Sequence, residues 1–465
     1  MSTLDTILKY VPQVEAPTEK KLAFGTKTKW TLVALFSYFI LKNIPVYGAS
    51  ESFLAQFDAL AMILGAEFGS LVSLGIGPIV TASIMMQLLN GSGILKFDTG
   101  TEKGKARFQG VTKLVALILI FVESIVFVYL GGITPEPALL GTDPGLYNTL
   151  QFLIIFQLIL GGLIILFLDD LVGKWGFGTG IGLFIAAGVS ENLFKQAFSW
   201  FANPDNPEFV TGAVWAVFQY FAAQEATAGF LAIASILTTI LVFGLVVYVQ
   251  SMKVEIPLSF GKVRGYGMRW PLNFLYTSNI PVILIAALLA NIQFMTALLQ
   301  NRFPDRNIEL FTQWFIAPNQ GTGGLVGAII SQGGLNIGST LYLQAISYSV
   351  ILMVGSMVFA YFWMQTSGMD PKSQAKQIMN SGLQIPGFRK DPRIMEHVLT
   401  RYITPLTIMG GLAVGFLAAL ADLSGALTSG TGILLAVMII YKLYEEIAKQ
   451  HAEDMNPALK KLMGK

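Results

Sequence analysis

The sequence predicts an all-α, polytopic membrane protein. It has ten crossing helices in two five-helix halves inverted relative to each other, and one short segment that enters the membrane and turns back. Three observations lead there. Long windows carry no charge, the basic residues gather on one side of the resulting topology, and short motifs of the first half return in the second.

Of the 465 residues, 54% are apolar and only 12% charged, against about 25% charged in soluble domains. Stretches such as 147-YNTLQFLIIFQLILGGLIILFL-168 and 277-TSNIPVILIAALLANIQFMTALL-299 contain no charged residue. About 20 apolar residues span the hydrocarbon of a bilayer. A soluble fold would have nowhere to bury so many fully apolar helices.

Taken in order, the segment 4-LDTILKYV-11 places Leu4, Ile7, Leu8 and Val11 at helical spacing. It is either an amphipathic helix lying on the membrane or an irregular terminus. No secretory signal pattern opens the chain. Full crossings follow at 30–47, 108–131, 147–168, 180–199, 228–250, 277–300, 345–366, 402–423 and 430–447, with 74–91 as the tenth. Of the 30 Lys and Arg, only Lys42, Lys195, Arg302 and Arg306 fall on the outward side. Basic loops stay in the cytoplasm, so both termini are expected there.

The chain leaves the first span outside near Lys42 and must be back in the cytosol by Lys96. The apolar piece 53-FLAQFDALAMIL-64 is too short to cross, so it dips in and turns, and 74-LGIGPIVTASIMMQLL-89 completes the passage. Irregular backbone at membrane depth survives only inside protein or beside water, so the Gly75–Gly77–Pro78 break implies an interior cavity. Pro78 fits a first helical turn, where its missing N–H is no loss. The alternative is an ordinary kinked span preceded by a surface helix.

The halves echo each other. The run 77-GPIV-80 matches 280-IPVI-283, and 178-GTGIGLFIA-186 matches 430-GTGILLAVM-438. The echoes fall on the second and fifth spans of each half. Five spans per half means inversion, and inverted repeats put the working site at the midplane between them.

Several function classes fit poorly. There is no cysteine, so no disulfide or thiolate metal site. The two histidines, His397 and His451, lie in polar segments. An intramembrane protease needs paired aspartates or a Ser–His pair within spans. The adjacent Asp169 and Asp170 sit at a span end and read as a boundary. An ion-coupled transporter needs intramembrane charges, and the spans offer Glu123, Asp422 near an outer end, and little else. No phosphate-binding loop occurs, so any energy source is external. A scaffold role leaves the re-entrant segment without a reason. No enzyme activity and no cofactor or metal is expected.

The runs 74-LGIGPIVTASIMMQLL-89, 180-GIGLFIAAGVS-190, 253-KVEIPLS-259, 277-TSNIPVI-283 and 430-GTGILL-435 resemble SecY, the large-subunit family of the Sec protein-conducting translocon, in its archaeal and eukaryotic form. The likeness covers nearly the whole chain. It departs at 195–227, where 209-FVTGAVWAVFQYFAA-223 reads as an added helix.

The resemblance implies two inverted halves around a central hourglass channel. By motif match its apolar pore ring falls on Ile76, Val80, Ile181, Ile185, Ile283 and Leu435. A short plug helix falls on 53–66, with Phe53, Leu54, Phe57, Leu60, Ile63 and Leu64. A ring of branched aliphatic groups suits a channel for polypeptides: it binds no passing side chain strongly and excludes water and ions when empty. Ordinary helix packing is the competing reading for each of the six. The resemblance also implies a lateral gate between the second and third spans and the seventh and eighth, with a polar cluster of Thr81, Glu123 and Asn291. Glu123 lies mid-span in 114-LVALILIFVESIVFVYL-130. A carboxylate there costs on the order of 2–3 kcal/mol and should face protein or water. It is either a latch on the seam or a buried acid capping a neighbouring helix.

The cytosolic loops at 251–276 and 367–401 carry Lys253, Lys262, Arg264, Arg389 and Lys390, with Arg389 in 387-GFRK-390. Positive-inside topology alone favours basic loops. Their length, and turn formers such as Pro257, Gly261, Gly265, Gly267 and Pro271, point to protruding hairpins that dock ribosomal RNA phosphates. The implied partners are SecE-type (gamma) and beta-type single-span subunits, the ribosome, nascent polypeptides with their signal sequences, and the lipid bilayer of an archaeal-type cell membrane. The expected division is an N-terminal amphipathic segment at 1–29, an N-terminal half at 30–227 with an outer segment at 200–227, a C-terminal half at 228–447, and a cytosolic tail at 448–465.

Overall fold

A computed structural model describes residues 12–19, 22–50, 69–91, 93–95, 97, 101–203, 207–260, 267–277, 279–302, 313–318, 324–332, 338–380, 383–384 and 391–455. Within them run α1 (Phe24–Lys42), α2 (Gly77–Gly91), α3 (Glu102–Tyr129), α4 (Leu139–Thr142), α5 (Pro144–Trp175), α6 (Gly180–Phe198), α7 (Ala213–Ala222) and α8 (Ala226–Ser251). Strands β1 (Lys253–Phe260) and β2 (Gly267–Asn273) follow. Then come α9 (Ile280–Arg302), α10 (Gly324–Ser331), α11 (Ser339–Thr366), α12 (Pro371–Asn380), strand β3 (Leu383–Gln384), α13 (Pro392–Leu423) and α14 (Gly430–Met455). Five helices, at 104–129, 144–175, 226–251, 339–366 and 392–423, are long and apolar enough to cross a membrane by length and composition. The other five expected crossings coincide with α1, α2, α6, α9 and α14.

Local chemistry moves several helix ends away from the hydropathy windows. The first crossing is expected to reach residue 47, but α1 ends at Lys42. Pro45 disfavours helical geometry at Ile44 before it. The Asn43 side chain turns back to donate to the Phe39 carbonyl at 2.8 Å. Helices α5 and α13 start before their apolar windows because each follows an Asp-Pro pair. Asp143 accepts from the Leu146 amide at 3.1 Å and Asp391 from the Arg393 amide at 2.9 Å. In each case proline occupies the first turn, where no amide is lost. The added outer helix expected at 209–223 is α7.

The two halves repeat one packing scheme. In the first, α1 lies against α5 and α6, α3 lies between α2 and α5, and α5 packs on α6. In the second, α8 lies against α13 and α14, α11 lies between α9 and α13, and α13 packs on α14. Every neighbour pair of the first half thus has its counterpart five spans later. The halves meet where α2 packs on α9 and α11, and where α6 packs on α14. A single apolar core runs through both.

The elements between the crossings are not purely helical. Strands β1 and β2 pair antiparallel, with Lys253 opposite Asn273 and Ser259 opposite Gly267. This is the hairpin expected of the first loop. The second loop forms no hairpin of its own among the described residues. It supplies α12 and β3, and β3 pairs with the far edge of β1, Ser259 opposite Gln384. The two loops therefore share one three-stranded sheet in the order β2-β1-β3.

Candidate functional site

The second crossing is broken where the Gly-Pro pattern places the break. Residues 69–76 form consecutive turns, mostly buried, and helix begins only at Gly77. Gly75 takes a positive φ of 52°, a conformation that disfavours a side chain. The turns are held by short local bonds, Ser73 N–H to the Ser70 carbonyl at 3.0 Å and Gly75 N–H to the Val72 carbonyl at 2.8 Å. They press on α5 so closely that a Cβ at Gly161 would lie 1.8 Å from the Leu71 carbonyl oxygen. This is irregular backbone enclosed by protein, one of the two settings, with a water-lined cavity, in which it survives at membrane depth.

Ile76 is the last residue before α2, and its carbonyl accepts from the Ile79 and Val80 amides at 3.1 and 3.0 Å. Ile76, Val80, Ile185, Ile283 and Leu435 are all buried, none more than 6% exposed, and all belong to the same apolar core. Ile181 is half-buried and packs against that core. Their carriers are consecutive neighbours: α2 packs on α9, α9 on α14, and α14 on α6.

The three polar residues also come together. The Asn291 amide of α9 donates to the Thr81 hydroxyl of α2 at 2.9 Å. That hydroxyl donates back to the Gly77 carbonyl at 2.8 Å. The Glu123 carboxyl of α3 lies within hydrogen-bonding reach of the same hydroxyl. One cluster thus ties α2 and α3 to α9 across the junction of the halves. Further along the junction, the Phe362 ring of α11 sits where a Cβ at Gly91 of α2 would be, 2.4 Å away.

The expected docking residues fare differently. Lys253 opens β1 and pairs with Glu445 of α14 at 3.5 Å, its side chain 41% exposed. On the hairpin, Arg269 pairs with Glu255 at 2.8 Å. Lys262, Arg264, Arg389 and Lys390 lie outside the described residues, as do the plug residues Phe53, Leu54, Phe57, Leu60, Ile63 and Leu64.

Two acids do more than the sequence suggests. Asp169, expected to mark a span boundary with Asp170, accepts from the Ile181 amide at 2.9 Å. Asp422, weighed as a transporter charge, accepts from the Thr431 amide at 2.8 Å and from the Tyr348 hydroxyl at 2.7 Å. Asp170 is a separate hub. It pairs with Lys113 of α3 and with Lys174 at 3.0 Å, and accepts from the Val14 amide at 2.8 Å. The overlooked signal was an acid ending one span, followed about ten residues later by a helix that begins with alternate glycines.

The chain matches the SecY family model over residues 70–444. It is 40% identical over 468 residues to the protein translocase subunit SecY of Methanocaldococcus jannaschii, covering 100% of each chain. Its fold is similar to a solved protein-conducting channel, with a TM-score of 0.82 and 38% identity over 98% of this chain and 99% of that one. A solved SecY concerned with how the plug domain stabilises the closed translocation channel and maintains a membrane seal gives a TM-score of 0.78 at 38% identity, with the same coverage. Sec61 in the canine ribosome-channel complex from the endoplasmic reticulum gives 0.78 at 37% identity, again over 98% of this chain and 99% of that one. The broken second helix, the repeated packing of the halves, and this likeness in sequence and fold over nearly the full length lead to one conclusion: the chain belongs to the SecY family.

Proposed function

We propose that the chain is a protein-conducting channel. It passes unfolded polypeptides across the membrane and releases apolar segments sideways into lipid. The observation that carries this reading is the burial of Ile76, Val80, Ile185, Ile283 and Leu435 in one core, on or at the start of four helices that are consecutive neighbours, one of which begins only after Ile76. Such a constriction is dry when empty and offers a passing chain nothing to bind. Thr81, Glu123 and Asn291 form the latch of the lateral gate, since Asn291 of α9 bonds across to Thr81 of α2, which Glu123 of α3 also reaches. An apolar segment that reaches lipid offsets the loss of those bonds. Residues 53–66 are the plug that closes the outer funnel.

The halves are residues 30–227 and 228–447, flanked by cytosolic segments at 1–29 and 448–465. The chain sits in an archaeal-type cell membrane with both termini in the cytosol, an orientation that the distribution of Lys and Arg supports. The channel works with SecE-type and beta-type single-span subunits. Ribosomes dock on the joined cytosolic loops through Lys253, Lys262, Arg264, Arg389 and Lys390. It is a conduit and not an enzyme.

Reconstitution tests this. The complex in lipid vesicles, supplied with ribosomes carrying a secretory nascent chain, is expected to bring that chain into a protease-protected lumen. A chain that stays fully digestible, with vesicles that instead accumulate a small solute, would contradict it.

A further inference from the structure

Helices α6 and α14 carry Ile185 and Leu435, one ring residue from each half. Their starts are built alike, but not in the register of the GTG echo. The Leu183 amide bonds to the Thr179 carbonyl at 3.0 Å, and the Ile433 amide to the Ser429 carbonyl at 3.0 Å. Thr179 therefore corresponds to Ser429, Gly180 to Gly430, Ile181 to Thr431 and Ile185 to Leu435. This is two residues away from aligning 178-GTG-180 with 430-GTG-432. In the corrected register the two ring residues coincide, and each helix start is met by an acid from the span before it.

Asp169, on the span before α6, accepts from the Ile181 amide at 2.9 Å and from the Gly180 amide. Asp422, on the span before α14, accepts from the Thr431 amide at 2.8 Å and from the Gly430 amide. Both glycines are pressed against the acid's own backbone. A Cβ at Gly180 would lie 2.5 Å from the Asp169 Cα, and one at Gly430 would lie 2.4 Å from the Asp422 nitrogen. The same clamp is thus built twice, once in each half.

We infer that Asp169 and Asp422 are twin positioning residues that fix the axial register of α6 and α14, and so set Ile185 and Leu435 at the height where the ring closes. The inference rests on the ring reading above. Each ring residue follows the clamped second helical residue by four, one helical turn, or about 6 Å of rise. Slippage by one residue moves a side chain about 1.5 Å along the axis, comparable to the ~1.4 Å radius of a water probe, enough to unseal an aliphatic collar. A carboxylate on first-turn amides makes charge-assisted bonds, and the helix dipole favours it there. Each clamp lies wholly within one half. Parting of the halves at the α2–α9 junction therefore leaves both intact, and each ring residue travels with its own half.

Resting conductance of the full complex in planar bilayers tests this. Asp169→Ala and Asp422→Ala are each expected to raise it about tenfold or more, the effect of one lost charge-assisted bond. Asp→Asn keeps an acceptor at the right length without the charge and is expected to leak clearly less than Asp→Ala or Asp→Glu. Asp→Glu keeps the charge but adds one carbon–carbon bond, about 1.5 Å, and is expected to leak. The Asn and Glu variants carry the test if the Ala variants fail to assemble. Ile185→Gly runs beside them. A leaking Ile185→Gly with tight Ala and Glu variants overturns the clamp and leaves the ring standing. A tight Ile185→Gly removes the ring reading itself. Leaking Asn variants with tight Glu variants assign the acids a charge role and overturn the register role.

Discussion

At the scale of single residues, the Thr81–Asn291 bond and the Gly161–Leu71 contact make separable predictions. Asn291→Ala removes the donor that ties α9 to α2 at 2.9 Å. A weaker latch opens for a smaller gain in lipid. Test segments of graded Leu and Ala content should therefore insert at lower mean hydropathy, by an amount worth about 1 kcal/mol. An unchanged threshold in reconstituted insertion assays would remove Asn291 from the latch. Gly161→Ala drives a methyl group to within 1.8 Å of the Leu71 carbonyl oxygen unless the turn moves. Overpacking of this kind costs about 1–3 kcal/mol. The detergent-solubilised complex should melt at lower temperature, whereas an equal melting point would mean the 69–76 turn is free to shift. The clamp acids show why a residue's chemistry is harder to read than its type. Asp169 and Asp422 are visible in the sequence as acids at span ends, but only the folded chain shows that their partners are amides nine to twelve residues further on.

At the scale of elements, the three-stranded sheet makes its own claim. β1 is its central strand, and Ser259 pairs with Gly267 on one side and Gln384 on the other. Proline removes a ladder donor; β1 holds Pro257 where only β2 pairs with it, whereas Ser259 is flanked by both β2 and β3. Ser259→Pro should uncouple the two loops, weakening ribosome co-sedimentation while the helix bundle and the resting seal persist. Undiminished co-sedimentation would show that the loops dock independently. The hairpin at 253–273 was legible from its turn formers, although only Gly261 and Gly265 lie between the strands, and Pro257, Gly267 and Pro271 fall within them. The pairing of β3 with β1 was not, because it joins Ser259–Phe260 to Leu383–Gln384, more than a hundred residues apart, with no local signal. Helix ends were misplaced where hydropathy competed with backbone chemistry. Pro45 stopped α1 early, and the Asp-Pro pairs at 143–144 and 391–392 started α5 and α13 early.

At the scale of the whole molecule, the fold was largely readable because a bilayer leaves few solutions: charge-free windows must be helices, and basic loops must share a side. The repeat was readable too, but in the wrong register. Two GTG runs align by eye, yet the bonds from Leu183 to Thr179 and from Ile433 to Ser429 make Thr179 the counterpart of Ser429. The ring residues were named from family likeness, since Ile and Val look alike everywhere in such a chain. The plug and most docking residues rest on the same likeness.

The central claim is that a polypeptide passes between α2, α6, α9 and α14. A chain without native cysteine allows a direct measurement. Single cysteines at Ile76, Ile185, Ile283 and Leu435, and at the outward-facing controls Ile118 and Leu237, 53% and 61% exposed, would carry a photocrosslinker while a nascent chain is arrested in transit. The account predicts crosslinks to the arrested chain from all four ring positions and from neither control. Crosslinks from the controls, with none from the ring, would contradict it.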